Sequence, residues 1–371
     1  MIVGVIGAGT MGAAIAALFA NAGYRVVLVD VSEGALRRAK ERHEGEILRE
    51  LDEANLRKRE NIVELIEYTT KLEDVGECGF VVEAIVEKLD AKRELVKALE
   101  GIVGEECIIA TNTSSFMPSE IAEVMRKRER HTLFHFSNPP ILRTIVEIGG
   151  SMVSEKYLQK TAEIVRNIGK EPIILKKDSR GHIFNRFLCA ALSAVSWDIA
   201  KFKPQQVDAA MKNLGSPSGF YELLDYIGID VLLAVQDSMT EAHGNRFKLS
   251  NGMRWLLEKM IEWGKLGKKS GEGFYIWRSG KAEMPEAEAA DITSMIAAAV
   301  NEAFRILEDE LADKETINRA YILATGAPAG ILDVAEMFGY GNILETLERK
   351  YEETRAEVFK PCNLIRDSVS V

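Results

Sequence analysis

The chain opens on a short apolar run, Ile2 to Ile6, of the length that a buried strand needs. Met11 to Ala22 is rich in alanine and predicts a small-residue helix that can lie close on a sheet. Tyr24 to Val29 reads as a second strand, closed by the polar Asp30. Ser32 stands at an N-cap position before a charged stretch, Glu33 to about Leu56. That stretch predicts a long helix solvated over most of its surface, an arm more than a core element. Phe80 to Val86, Cys107 to Thr111 and Thr132 to Phe136 are further short apolar runs separated by helical patterns. Such alternation predicts a doubly wound α/β domain with a mostly parallel sheet and helices on both faces.

The texture changes around Lys176 to Gly181, and from Phe184 onward helical periodicity dominates. A shift of 111 residues superimposes Gly215 on Gly326, Pro217 on Pro328, Gly219 on Gly330 and Gly228 on Gly339. Glu222 and Asp333 coincide under the same shift. Glycine and proline fix unusual backbone shapes, so their coincidence points to a duplicated helical unit. The expected organisation is an α/β domain over 1–178, a first helical domain over 179–279 and a second, truncated helical repeat over 280–371. Phe359-Lys360-Pro361 resembles Phe247-Lys248-Leu249, but no counterpart of the glycine-rich tail Gly267 to Tyr275 follows it.

Composition narrows the partners. A formal charge of −10 excludes general nucleic-acid binding, which needs a basic face. Near-zero mean hydropathy, and no apolar stretch long enough to span a bilayer, exclude a membrane role. The four cysteines are scattered, as in a protein of the reducing cytoplasm, and the five histidines show no metal-ligand spacing. Met1 enters the first strand directly, so no signal peptide is expected ahead of the fold.

The first strand runs into Gly7-Ala8-Gly9-Thr10-Met11-Gly12 and then a helix, the context that a dinucleotide-binding turn of a Rossmann domain requires. Gly7 permits the tight turn, Gly9 lets a pyrophosphate approach the backbone, and Gly12 brings helix and strand together. The helix N-terminus, with Thr10 and Met11, then offers N–H groups to the phosphates. Asp30 suits the adenosine ribose hydroxyls and repels a 2′-phosphate, and no arginine follows it, so NAD is the expected cofactor.

His135 is followed by Asn138-Pro139-Pro140, which forces an extended turn. The chain can then return along Thr144 to Ile148 and bring Glu147 alongside. Glu147 lies between Val146 and Ile148, an odd place for a charge without a partner. A neutral histidine titrates near working pH, and a carboxylate on its second nitrogen fixes the tautomer and stabilises the imidazolium. The pair suits removal of a hydroxyl proton while hydride leaves for a nicotinamide.

Taken as a set, these segments resemble the L-3-hydroxyacyl-CoA dehydrogenase family from Met1 to about Trp277. The motifs that carry the resemblance are Gly7 to Gly12, Glu83-Ala84-Ile85-Val86-Glu87, Asn112-Thr113-Ser114-Ser115, His135 to Pro140, Val146-Glu147, Asn185-Arg186 and Lys269 to Tyr275. The resemblance implies that His135 is the acid/base, oriented by Glu147, and that Ser114 and Asn185 bond the substrate oxygens. It implies that Glu87, Lys92, Ser114, Asn138 and Lys269 line the nicotinamide half of NAD. It further implies an acyl-CoA substrate oxidised from (S)-3-hydroxyacyl to 3-oxoacyl in β-oxidation-type metabolism.

In single-copy members of the family two chains pair through the helical domain. The internal repeat suggests that this chain supplies both halves, as a pseudo-dimeric monomer or weak homodimer. It would then resemble the dehydrogenase portion of fused multifunctional fatty-acid oxidation proteins, with a fused or associated enoyl-CoA hydratase as partner. Family members contact coenzyme A with serine and lysine on the arm after the second strand; here His43 to Glu53 is largely acidic. That composition keeps open a dehydrogenase of a free 3-hydroxy acid or carnitine-like alcohol. A nucleotide-binding protein without turnover is the alternative from another class.

Overall fold

A computed structural model describes residues 1–369 and divides into two compact units, Met1–Arg180 and the chain from Gly181 onward. The first unit is built on eight strands: β1 (Ile2–Ile6), β2 (Arg25–Val29), β3 (Ile66–Thr69), β4 (Phe80–Glu83), β5 (Ile108–Thr111), β6 (His131–Phe136), β7 (Ile145–Gly149) and β8 (Glu171–Leu175). Their order is β3-β2-β1-β4-β5-β6-β7-β8. The first six are mutually parallel, β7 runs antiparallel to β6, and β8 is parallel to β7. This is the doubly wound Rossmann arrangement, the carboxyl ends of the first six strands aligned along one edge.

Helices α1 (Thr10–Asn21), α2 (Glu33–Glu44), α3 (Glu46–Glu53) and α6 (Glu155–Asn167) cover one face around Phe19, Phe80, Phe134 and Phe136. The other face is packed by α4 (Leu89–Ile102) and α5 (Pro118–Ala122). Two strands escape sequence reading. β3 (Ile-Glu-Tyr-Thr) buries only Ile66, and β8 begins Glu-Pro; both sit at sheet edges, where the apolar signal is weakest.

The charged arm departs from expectation. It is broken at Gly45 into α2 and α3, and Leu36, Ala39, His43, Ile47 and Leu51 are all buried. The His43 ring lies between the Ala13 carbonyl (Nε2, 2.8 Å) and the Tyr68 hydroxyl (Nδ1, 2.7 Å). The arm is core on one side and charged on the other.

The second unit comprises α7 (Phe184–Ser196), α8 (Pro204–Asn213), α9 (Phe220–Ile227), α10 (Ile229–His243) and α11 (Asn251–Glu262), then a small hairpin, β9 (Ile276–Arg278) and β10 (Lys281–Glu283). It continues with α12 (Thr293–Glu308), α13 (Lys314–Thr325), α14 (Ile331–Phe338), α15 (Tyr340–Thr354) and α16 (Asn363–Asp367). The second five helices repeat the first five in order, and both copies lie in one compact unit. Gly228 and Gly339, at φ +103° and +81°, make the same abrupt joint between the third and fourth helices of each copy. The copies meet reciprocally: Gly215 packs against Pro328, and Gly326 against Pro217. Reciprocity of this kind is the mark of two-fold association, here within one chain.

Candidate active site

The glycine turn leaves β1 where only hydrogen fits. A Cβ on Gly7 would lie 2.5 Å from the Ala84 carbonyl, and one on Gly12 would lie 1.8 Å from the Gly7 carbonyl. Around Gly9, by contrast, nothing lies within 4 Å of the added atom. The backbone is therefore bare on the side where a pyrophosphate approaches. The first turn of α1 holds no acidic residue and no side-chain cap, so its N–H groups are not claimed by the protein's own anions. Asp30 is fixed from both sides, its Oδ2 accepting from Ala8 N–H and its Oδ1 from Ser32 N–H, each at 2.8 Å. These residues fit a dinucleotide with free ribose hydroxyls.

Further along the same sheet edge, β6 and β7 pair with His135 directly opposite Glu147. Both side chains are buried, and His135 Nδ1 lies 2.8 Å from Glu147 Oε2. A carboxylate only accepts, so Nδ1 carries a proton, and in the neutral ring Nε2 presents its lone pair. Nε2 accepts from the Ser114 hydroxyl at 3.0 Å. Asn112 Oδ1 accepts from Phe136 N–H at 3.0 Å and so ties the end of β6 to the loop that carries Ser114. Ser114 and Ser115 do not cap the next helix; Met117 occupies that position before α5.

Glu87 fastens the same loop. Its Oε1 accepts from the Thr113 hydroxyl, from Ser114 N–H (3.0 Å) and from Ser115 N–H (2.9 Å), and its Oε2 meets Lys92 Nζ at 3.1 Å. Burial pushes this carboxyl up, but the Lys92 ammonium and these donors outweigh it and hold it below the usual carboxylate range. Lys92, which the resemblance places along the nicotinamide, is 1 % exposed in this unit. Its ammonium also meets Glu83 Oε1 at 2.6 Å. Glu83 is itself fully buried and accepts from Ile85 N–H (2.9 Å) and the Thr111 hydroxyl (2.7 Å).

Ser114, His135, Glu147 and Glu87 thus form one hydrogen-bonded group, while Asn138 is exposed just beyond β6. Asn185 and Lys269 belong to the helical unit. Asn185 is buried near the start of α7, and Lys269 is half-exposed with its ammonium on Asp230 at 2.5 and 2.7 Å. Sequence reading assigned no role to Glu83, Thr113 or Asn112. Glu83 had a usable signal: it closes the apolar run Phe80-Val81-Val82, and a charge so placed needs a partner as much as Glu147 does.

A Rossmann unit with a bare glycine turn, a ribose-type aspartate and a carboxylate-braced histidine at the carboxyl edge of its sheet defines a dinucleotide-linked alcohol dehydrogenase in class. The chain belongs to the 3-hydroxyacyl-CoA dehydrogenase family. Residues 2–179 match the family's NAD binding domain, and its C-terminal domain matches twice, over residues 181–277 and 292–371. The cofactor of the first unit is NAD. A probable 3-hydroxybutyryl-CoA dehydrogenase of Deinococcus radiodurans is 35% identical over 284 residues, covering 73% of this chain and 98% of that protein. The crystal structure of (S)-3-hydroxybutyryl-CoA dehydrogenase from Ralstonia eutropha is 30% identical, with a TM-score of 0.66 over 75% of this chain and 99% of that one. A 3-hydroxybutyryl-CoA dehydrogenase from Escherichia coli K12 is 24% identical and shares the fold over 99% of this chain and 98% of its own, at a TM-score of 0.86. Among the described residues, no helix is long and apolar enough to cross a membrane.

Proposed function

We propose that the protein is an NAD-dependent 3-hydroxyacyl-CoA dehydrogenase that oxidises (S)-3-hydroxyacyl-CoA to 3-oxoacyl-CoA. The observation that carries this reading is the chain Ser114–His135–Glu147, set on the strand edge that also holds the dinucleotide turn. Gly7, Gly9, Thr10, Met11 and Gly12 would hold the pyrophosphate, and Asp30 the adenosine ribose. Bound NAD supplies the hydride acceptor for C3 of the substrate. His135 Nε2 takes the hydroxyl proton as the C3–O bond becomes a carbonyl. Glu147 stabilises the imidazolium so formed, at hydrogen-bond distance and out of water. As the substrate hydroxyl takes the Nε2 lone pair, the Ser114 hydroxyl turns its one hydrogen to the same oxygen; Asn185 remains a candidate for bonding a substrate oxygen that alternates between hydroxyl and carbonyl. Asn138 and Lys269 remain candidates for the nicotinamide end.

The test is NADH oxidation with 3-ketoacyl-CoA substrates of graded length, set beside free acetoacetate. Turnover of the thioester well above the free acid supports the reading. The reverse order moves the enzyme to free 3-hydroxy acids. No NADH consumption with either overturns it. The four buried free thiols suit a reducing compartment, and we place the enzyme in the cytoplasm.

A further inference from the structure

Within the helical unit, a polar cleft of about 390 Å³, a ligand-sized volume, is lined from both copies. Helix α12 contributes Arg305 and Glu308. The first copy adds Arg246, on the turn Asn245–Phe247, and the second adds Glu357 and Lys360, on and just after the turn Glu357–Phe359. Both turns are fixed from behind. Phe247 and Phe359 are fully buried, Gln236 Nε2 donates to the Phe247 carbonyl, and Asn301 Nδ2 donates to the carbonyls of Val358 (3.3 Å) and Lys360 (2.9 Å). The cleft is shaped before anything binds.

Three guanidiniums converge beside it on the one buried carboxylate of Glu302. Arg186 holds the closest place, Nε to Oε1 at 2.6 Å, and meets Asp309 as well at 2.8 Å. Arg246 Nη2 is left 3.3 Å from the same oxygen, and Arg305 Nε 4.0 Å from Oε2. Arg246 Nε, out of water, has no hydrogen-bond partner among the described residues. Burial pushes the Arg246 guanidinium below its usual range; Glu302 opposes this, while Arg186 and Arg305 add to it. Arg246 and Arg305 both line the cleft, each side chain 20 % exposed. The acids of the lining are only partly occupied. Glu308 Oε1 accepts Leu364 N–H at 2.6 Å, Glu357 Oε1 accepts the Tyr351 hydroxyl at 3.3 Å, and Glu357 Oε2 lies 3.6 Å from Lys360 Nζ.

We infer that this cleft binds the phosphate monoester of a small polyhydroxyl compound, its phosphate on Arg246, Arg305 and Lys360 and its hydroxyls donating to Glu308 and Glu357. A guanidinium short of acceptors is satisfied by phosphate oxygens, and two such forks hold a tetrahedral dianion better than one. The carboxylates accept from hydroxyl groups at the other end of the ligand. They also repel a second phosphate, so a polyphosphate is disfavoured. A ligand so held touches both copies at once and ties their pairing together. The site lies wholly in the helical unit and owes nothing to the reaction read from the α/β unit.

Calorimetric titration of the full chain tests it, with NADH saturating so that the dinucleotide site is filled. The probes are ribose 5-phosphate, inorganic phosphate and ribose. Ribose 5-phosphate should bind once per chain, about tenfold or more tighter than either fragment, and should raise the thermal transition as its concentration rises. Arg246→Gln should weaken it about tenfold or more. Arg246 also faces Glu302, so a loss there could follow from a disturbed fold. Lys360→Gln changes an exposed side chain and should weaken binding about threefold with the urea midpoint unmoved. Lys281→Gln, on the exposed hairpin strand β10, should bind as wild type does. The assignment is overturned if ribose 5-phosphate gives no binding up to about 10 mM, if it binds no better than inorganic phosphate or ribose, or if Arg246→Gln and Lys360→Gln both keep wild-type affinity.

Discussion

Asp208 and Asn318 do the same work in the two helical copies and differ in charge. Each side chain fills the space beside a glycine, Gly219 or Gly330, and accepts the N–H of the second residue of the next helix: Tyr221 at 2.7 Å and Leu332 at 2.8 Å. In the first copy the glycine-rich tail adds a donor, and Asp208 Oδ2 also accepts the Tyr275 hydroxyl at 2.8 Å. Asp225 takes three more tail donors: Phe274 N–H, Tyr275 N–H and Trp277 Nε1. At the matching positions the second copy has the amide of Asn318 and the exposed Glu336.

That difference sets a pH dependence. Burial pushes the Asp208 carboxyl up to about 6, against the pull of Tyr221, Tyr275 and Glu222, while an ordinary aspartate titrates near 3.8. The folded state therefore keeps this proton to higher pH than the unfolded chain. The favourable contribution is complete below 3.8 and is lost as pH rises to about 6. Asp208→Asn copies the second copy and removes the titration. Between pH 7 and pH 4 the stability gap should move in favour of wild type by up to about 3 kcal/mol, read from urea unfolding. A gap that stays constant over that range would sink the assignment.

Much of the site was legible because the signals were local. The glycine turn tolerates no side chain at Gly7 or Gly12, and the His135–Glu147 register follows from one turn between two apolar strands. What escaped was burial of charge. Lys92, close to Lys88, Arg93 and Lys97, carries no local sign of its burial, because the carboxylates that draw it inward come from other elements. The arm failed for a different reason. Leu36, Ala39, His43, Ile47 and Leu51 recur every three or four residues, a narrow core stripe that the surrounding charges outnumber.

Catalysis gives the most direct check on His135. With the imidazole replaced in His135→Gln, the turn and Asp30 are untouched, so NADH should bind as before while kcat falls about 10²- to 10⁴-fold. Glu147→Gln should lower kcat less, because the ring keeps a partner but the imidazolium loses its counter-charge. Stopped-flow turnover beside a fluorescence titration of NADH separates the two effects. Near-normal kcat in His135→Gln would remove the mechanism.

Acid should loosen the arm through His43. Burial lowers its pKa to about 4, partly opposed by the bond to Ala13 and reinforced by Arg42, whereas an unfolded histidine takes its proton near 6.5. The unfolded chain therefore gains a proton first, and stability is lost as pH falls from about 6.5 towards 4, by up to about 3 kcal/mol. The structural cause is visible: the ring is fully buried, its Nε2–H donating to the Ala13 carbonyl and its Nδ1 beside the Tyr68 hydroxyl, so the charged form would have to leave water. His43→Gln, though less stable at pH 7, should show a flatter profile over this window. A variant that loses as much stability as wild type between pH 6.5 and pH 4 would contradict this account.

The last expectation concerns assembly. Gly215 against Pro328, and Gly326 against Pro217, reproduce within one chain the reciprocal contact that two identical subunits make across a two-fold axis. Helix α12 packs along α7, where Arg186 is fully buried with its Nε 2.6 Å from Glu302 and its Nη1 2.8 Å from Asp309. The face of the first copy that a partner subunit would need is therefore already covered. An isologous contact uses the same patch on both partners, so covering one copy closes that route to dimerisation. Light scattering across a hundredfold dilution should give the mass of a single chain throughout, with no concentration dependence in the thermal transition. A stable dimer at the lowest concentration, built on the α7 face of each first copy, would show that the second copy moves aside in solution and that the internal pairing is not what replaces a partner.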